Sequence, residues 1–146
     1  MKKEQKTSVL YKVEQTIKEY RKMSQKNISD VVCDITVDQC LLLIFLNDNA
    51  GYSQKEMAEF LFKDTASLTR IIELMVKKDY LKRNMNDTDR RKFNLEITAK
   101  GKETIQLLQP VIQGNRQTAL QGLSQQEIGL LDSLLSKITS NCKETK

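Results

Sequence analysis

Apolar residues recur at helical spacing along nearly the whole chain, and the period changes only once, between Leu81 and Ile97. There Phe93, Leu95 and Ile97 alternate with Asn94 and Glu96, the two-residue repeat of a half-buried strand. Leu81 to Met85 can pair with it, and Asn86-Asp-Thr-Asp-Arg-Arg91 between them is a polar, basic turn. One β-hairpin set into an otherwise helical chain predicts a mainly α fold with a small β-hairpin. At 146 residues, 39% of them hydrophobic, the chain is about one domain long and can bury a core.

Start signals divide the helical part. A first helix is predicted from about Ser8 to Lys26, with Leu10, Val13, Ile17 and Tyr20 on one stripe, and Asn27 to Ile35 reads as a connection. Thr36-Val-Asp-Gln39 fits a capping box, in which the hydroxyl accepts from a free backbone N–H and the amide reaches back. It opens a helix running through Cys40 to Leu46, apolar enough to be buried on most sides, with Gly51 beyond its end. A second box, Ser53 to Glu56, starts a short helix expected to bury Met57, Ala58, Phe60 and Leu61. After a break at Phe62-Lys63, Asp64 caps another helix from Thr65 to about Lys78, with Leu68, Ile71, Ile72 and Met75 facing inward. Two short helices joined by a few residues are a helix-turn-helix, and the hairpin that follows is its wing. Thr98 caps a long helix from Lys100 to about Leu120, expected to be interrupted at Pro110. The box Ser124 to Glu127 starts the last helix, with Ile128, Leu131, Leu134, Leu135 and Ile138 on one stripe and a polar tail after Asn141.

Composition narrows the function. The chain has no histidine, which removes the commonest general base and metal ligand and leaves a thiol enzyme built on Cys33 without its usual partner. No cofactor and no metal are expected. Cys33, Cys40 and Cys142 are odd in number and fit no disulfide framework. The longest apolar run is too short to span a bilayer, and no apolar segment follows the polar N-terminus. Together these features point to a reducing cytoplasm. The net charge of +5 permits an anionic partner, and its distribution says more: residues 77–92 hold seven basic against three acidic residues around the hairpin turn.

A helix-turn-helix followed by a basic hairpin suits duplex DNA. The recognition helix would place its N-terminal turn, Thr65-Ala66-Ser67, against the major groove, with Arg70 reaching a phosphate or a guanine edge. The positive end of its dipole points the same way. Arg90, Arg91 and Lys92 on the wing suit a narrow minor groove, and Asp89 would orient an arginine.

From Thr36 to Gly101 the chain resembles the multiple antibiotic resistance regulator (MarR) family. The matching pieces are Thr36–Gln39, Gln54 with Met57-Ala58-Glu59, and Leu68-Thr69-Arg70 in the recognition helix. Most specific are Asp89-Arg90-Arg91 and the run Leu95-x-Ile97-Thr98-Ala-Lys-Gly101. Asp79 stands where the family often has glycine, a departure that bears on the turn before the wing. The resemblance implies that Arg91 enters the minor groove while the helix carrying Thr65, Ala66, Ser67, Thr69 and Arg70 reads the major groove. It also implies a homodimer held by helices in residues 1–35 and 99–146, with residues 36–98 as the winged helix-turn-helix. Such a dimer presents two recognition helices about 34 Å apart and so expects a near-palindromic site. The stripes on the terminal helices need such a cover, because a three-helix core with a wing cannot bury them all.

Relatives usually release DNA on a small-molecule, metal or oxidant signal, which makes a repressor the expected role. Cys33 is the candidate effector or redox residue, and Cys40 reads as a small core residue. Tyr11, Tyr20 and Phe45 could line a ligand pocket, although aromatic residues at helical spacing also build cores. The competing reading is a winged-helix module that binds a protein partner. It expects apolar residues at exposed positions of the recognition helix, where Thr65, Ser67 and Arg70 are polar.

Overall fold

The computed structural model describes residues 8–48, 51–85 and 93–144, which form six helices and one hairpin. In chain order these are α1 (Val9–Val31), α2 (Val37–Asp48), α3 (Gln54–Phe60), α4 (Thr65–Lys77), β1 (Leu81–Met85), β2 (Phe93–Ile97), α5 (Ala99–Ala119) and α6 (Gln125–Glu144). The strands are antiparallel, Leu81 opposite Ile97 and Met85 opposite Phe93. The fold is that of a winged helix, mainly α with a small hairpin. The chain divides into two compact units, residues 1–115 and 116–146. No described helix is long and apolar enough to cross a membrane.

The helix starts follow local chemistry. In the Thr36–Gln39 box the Gln39 N–H donates to Thr36 Oγ1 and the Thr36 N–H to Gln39 Oε1, both at 3.1 Å. The Ser124–Glu127 box closes in the same way at 2.9 and 3.1 Å. At Ser53 only half of the box forms. The Glu56 N–H donates to Ser53 Oγ at 3.2 Å, and the Glu56 carboxylate turns to that same hydroxyl. Asp64 caps α4 by accepting from the Ser67 N–H at 2.7 Å.

Two helix ends are closed by residues in the left-handed region. After α4, Asp79 has φ 67°, the Tyr80 N–H reaches Met75 O and the Asp79 N–H reaches Val76 O. This is the Schellman arrangement that glycine usually supplies, and aspartate tolerates its backbone. After α3 the same pattern recurs with Phe62 at φ 57°, Lys63 N–H bonding Ala58 O and Phe62 N–H bonding Glu59 O.

In the first unit the core gathers Leu42, Leu43, Met57, Ala58, Leu61, Leu68, Ile72 and Met75 around the helix-turn-helix, with Ile28, Ile35, Tyr80, Leu81, Ile105 and Leu108 also buried. In the second unit α6 buries none of its residues, and Leu131, Leu134 and Leu135 are exposed.

Four sequence expectations need correction. The first helix does not stop at Lys26 but runs on to Val31. Ser24 and Ile28 are buried, and Asn27 donates to the buried Asn115 at 2.7 Å, so tertiary contacts override the turn preference of Asn27. Phe60 is not buried: it is 48% exposed, with one face 4.5 Å from the Phe45 ring. Pro110 lies inside α5 without ending it, and α6 continues beyond Asn141 to Glu144.

Candidate nucleic-acid interface

The recognition helix is positioned from below and capped from the front. Leu68, Ile72 and Met75 point into the core with no exposed surface, and α4 follows α3 after four residues, Leu61 to Asp64. What remains outside is polar at the helix start. Thr65, Ala66 and Arg70 are exposed and Ser67 is half-buried. The Ser67 N–H and then its hydroxyl hold the Asp64 carboxyl below the usual carboxylate range, with the Arg70 charge acting in the same direction. Asp64 is therefore an acceptor committed to its own helix rather than a free negative charge facing a phosphate. Thr69 is half-buried and its hydroxyl donates back to Thr65 O at 2.9 Å, so only its methyl is unengaged. Sequence alone gave no sign of that.

The wing is described at its base only. Asp89, Arg90, Arg91 and Lys92 lie outside the described residues. The base is held by Thr98, whose N–H donates to Tyr80 O at 3.1 Å, whose hydroxyl donates to Asp79 O at 2.6 Å, and whose Oγ1 accepts from the Gly101 N–H at 3.0 Å. Gly101 has no room for a side chain. A Cβ there would stand 2.7 Å from Ile97 Cγ2 and closer still to Tyr80 O.

Cys33 is exposed in the connection between α1 and α2, and burial pushes the Cys40 thiol up to about 12. Tyr11 is exposed, Tyr20 half-buried, and Phe45 packs edge-on to Tyr52 at 5.0 Å. No group among the described residues has the ligands to hold a metal ion.

Two polar clusters near the recognition helix escaped the sequence reading. Asp38, in the first turn of α2, accepts from Arg21 of α1 at 2.5 Å and pairs with Lys63 of the helix-turn-helix turn at 3.4 Å. Asp34 meets Tyr80 and Lys78 across the start of the hairpin. Partners 17 to 46 residues apart leave no local pattern to read.

Residues 34–92, which hold the helix-turn-helix and the hairpin, match the model of the MarR family. Over that region the chain is similar to the MarR family. MarR-family proteins are transcription regulators, not enzymes. The chain is 29% identical over 115 residues to MgrA, an HTH-type transcriptional regulator of Staphylococcus aureus, covering 77% of this chain and 76% of MgrA. A mutant MarR from E. coli, solved in complex with operator DNA, is 25% identical, with a TM-score of 0.76 over 86% of this chain and 89% of that one. BpsR of Bordetella bronchiseptica, whose DNA binding is regulated by 6-hydroxynicotinic acid, shares the fold at a TM-score of 0.81 and 22% identity, over 92% and 94% of the two chains.

Proposed function

We propose that the chain is a homodimeric repressor that binds a near-palindromic DNA site and lets go on a small-molecule or redox signal. The observation that carries this is the exposed polar start of α4, Thr65, Ala66 and Arg70, capped by Asp64 and raised on a buried apolar face. A helix presented in this way offers its N-terminal N–H groups and a basic side chain to the major groove. Ser67 and Thr69 set its closeness of approach. Arg90, Arg91 and Lys92, oriented by Asp89, extend the contact into the minor groove. A relative solved in complex with operator DNA supports DNA as the partner.

The dimer rests on unpartnered apolar faces. Leu10 and Ile17 of α1 are 59% and 50% exposed, and in the other unit Leu130, Leu131, Leu134 and Leu135 are exposed on α6. A second copy covers such stripes, with residues 1–35 and 99–146 as the dimerisation region and 36–98 as the DNA-binding region. Release by a small molecule draws support from BpsR, and Cys33 is an exposed thiol open to a redox signal.

Phe62 favours a second reading. Its ring is 93% exposed beside the recognition helix, as a winged-helix module with a protein partner would display. Selection of bound fragments from genomic DNA, with Arg70→Ala and Arg91→Ala run in parallel, separates the two. A recovered two-fold motif, lost with either substitution, supports the repressor. Recovery no better than bulk DNA supports the protein partner.

A further inference from the structure

The segment between α1 and α2 is where the proposed dimerisation region becomes the proposed DNA-binding region, and it is not free. Tyr80 donates its hydroxyl to Asp34 Oδ1 at 2.6 Å, while Lys78 Nζ donates to the Asp34 backbone carbonyl. Tyr80 itself is buried and lies between the recognition helix and β1, three residues after α4 ends. Lys100 of α5 sits 4.4 Å over the Tyr80 ring and donates to Lys78 O at 2.8 Å. The exit of the recognition helix, the base of the wing and the start of α5 thus meet the α1–α2 connection at one phenol–carboxylate bond.

The chemistry suits a fixed joint. A hydroxyl bonded to an ionised carboxylate is about twice as strong as a neutral pair, and this one closes over a ring already held by packing. The core explains why Tyr80 carries a ring. It does not explain the hydroxyl, which donates to a residue 46 positions earlier. The charged groups around the bond are Lys78 and Lys100, with the Cys33 thiol nearby.

We propose that the Asp34–Tyr80 bond is a positioning contact that fixes the recognition helix and wing base against the α1–α2 connection, and so sets the distance between the two recognition helices of the dimer. The inference rests on the dimeric reading above. A dimer on a near-palindrome must hold its two helices one DNA turn apart, and a joint that swivels lets the helices wander before binding. Ordering them then costs affinity, in proportion to the fraction of molecules that hold the right spacing.

The test uses the full chain and the motif recovered by selection, with half-sites at their native spacing or moved by one base pair. Tyr80→Phe keeps the ring and Asp34→Ala alters an exposed side chain, so each breaks the same bond by an independent route. Each is expected to weaken binding to the native spacing about tenfold, the lower end of what one hydrogen bond to a charged group contributes. Binding to the shifted sites is expected to change less, so the preference for native spacing shrinks. The double variant is expected to bind no worse than either single one. A uniform loss at all spacings, losses that add in the double variant, or an unchanged preference overturns the proposal while leaving the dimer intact. A parent protein with no preference for spacing overturns the dimer and the proposal with it.

Discussion

Gly101→Ala sets two opposing effects against each other, and the structure decides which wins. Gly101 is the third residue of α5 and its backbone is helical, so alanine should gain up to about 1 kcal/mol in helix propensity. Against this stands the space. The new methyl would stand 2.7 Å from Ile97 Cγ2 and closer to the Tyr80 carbonyl, which is backbone and cannot swing aside. Crowding of this kind costs about 1–3 kcal/mol. That carbonyl also accepts from the Thr98 N–H at 3.1 Å, and shifting it weakens a bond worth about 1 kcal/mol. The net cost is about 2 kcal/mol, or a fall of about 6 °C in Tm for a chain of this size. Gly114→Ala is the control, because nothing lies within 4 Å of its added methyl and only the propensity gain remains. Thermal unfolding of both variants at one protein concentration gives the answer. A Gly101→Ala protein as stable as its parent would refute the steric argument, since propensity would then have prevailed.

Phe62→Gly should stabilise the chain by about 1 kcal/mol, because φ 57° burdens a residue with a Cβ and the ring it removes is 93% exposed; the denaturant midpoint measures it. The Tyr80 hydroxyl, followed by Lys78 and Lys100, holds the Asp34 carboxyl below its usual range. Its folded pKa being depressed, its contribution is present above the unfolded value of about 3.9 and is lost as pH falls through the lower folded value. The stability difference between parent and Asp34→Asn should therefore stay level from about pH 5 to about pH 8 and shrink below about pH 4. In native protein at neutral pH, iodoacetamide should label Cys33 and leave Cys40 untouched until denaturant is added, as peptide mapping would report, since Cys40 is buried and its thiol is pushed up to about 12.

What could be read from the sequence was what local chemistry writes. Thr36 with Gln39, Ser124 with Glu127 and Asp64 with Ser67 all act across three residues, and each starts a helix where the spacing placed it. The alternation at Phe93, Leu95 and Ile97 gave the second strand with its bounds. What failed was what distance writes. Asn27 reads as a turn former, yet its partner Asn115 is 88 residues away and keeps it helical. Phe60 has helical spacing with Met57 and Leu61, but α3 is seven residues long and its exposed edge extends to that ring.

The interface divided along the same line. Thr65, Ala66 and Arg70 stood out because a capped helix after a tight turn exposes its start. Thr69 matched a family motif, but its backbone hydrogen bond had no signature. Asp38, Lys63, Asp34 and Tyr80 each read singly as a solvated or core residue, and only the fold pairs them. Gly101 entered as part of a motif, and the reason for it is the Tyr80 carbonyl.

A repressor of this kind must bind duplex DNA sequence-specifically through α4 and the wing. Titration of a labelled duplex carrying the selected motif, against a scrambled duplex and at several salt concentrations, tests it most directly. The expected result is saturable binding at two chains per site, a steep fall with salt, and a slope reduced by about one when Arg91→Ala removes a phosphate-scale contact. Equal affinity for motif and scramble, or a slope and affinity indifferent to both Arg70→Ala and Arg91→Ala, would contradict it.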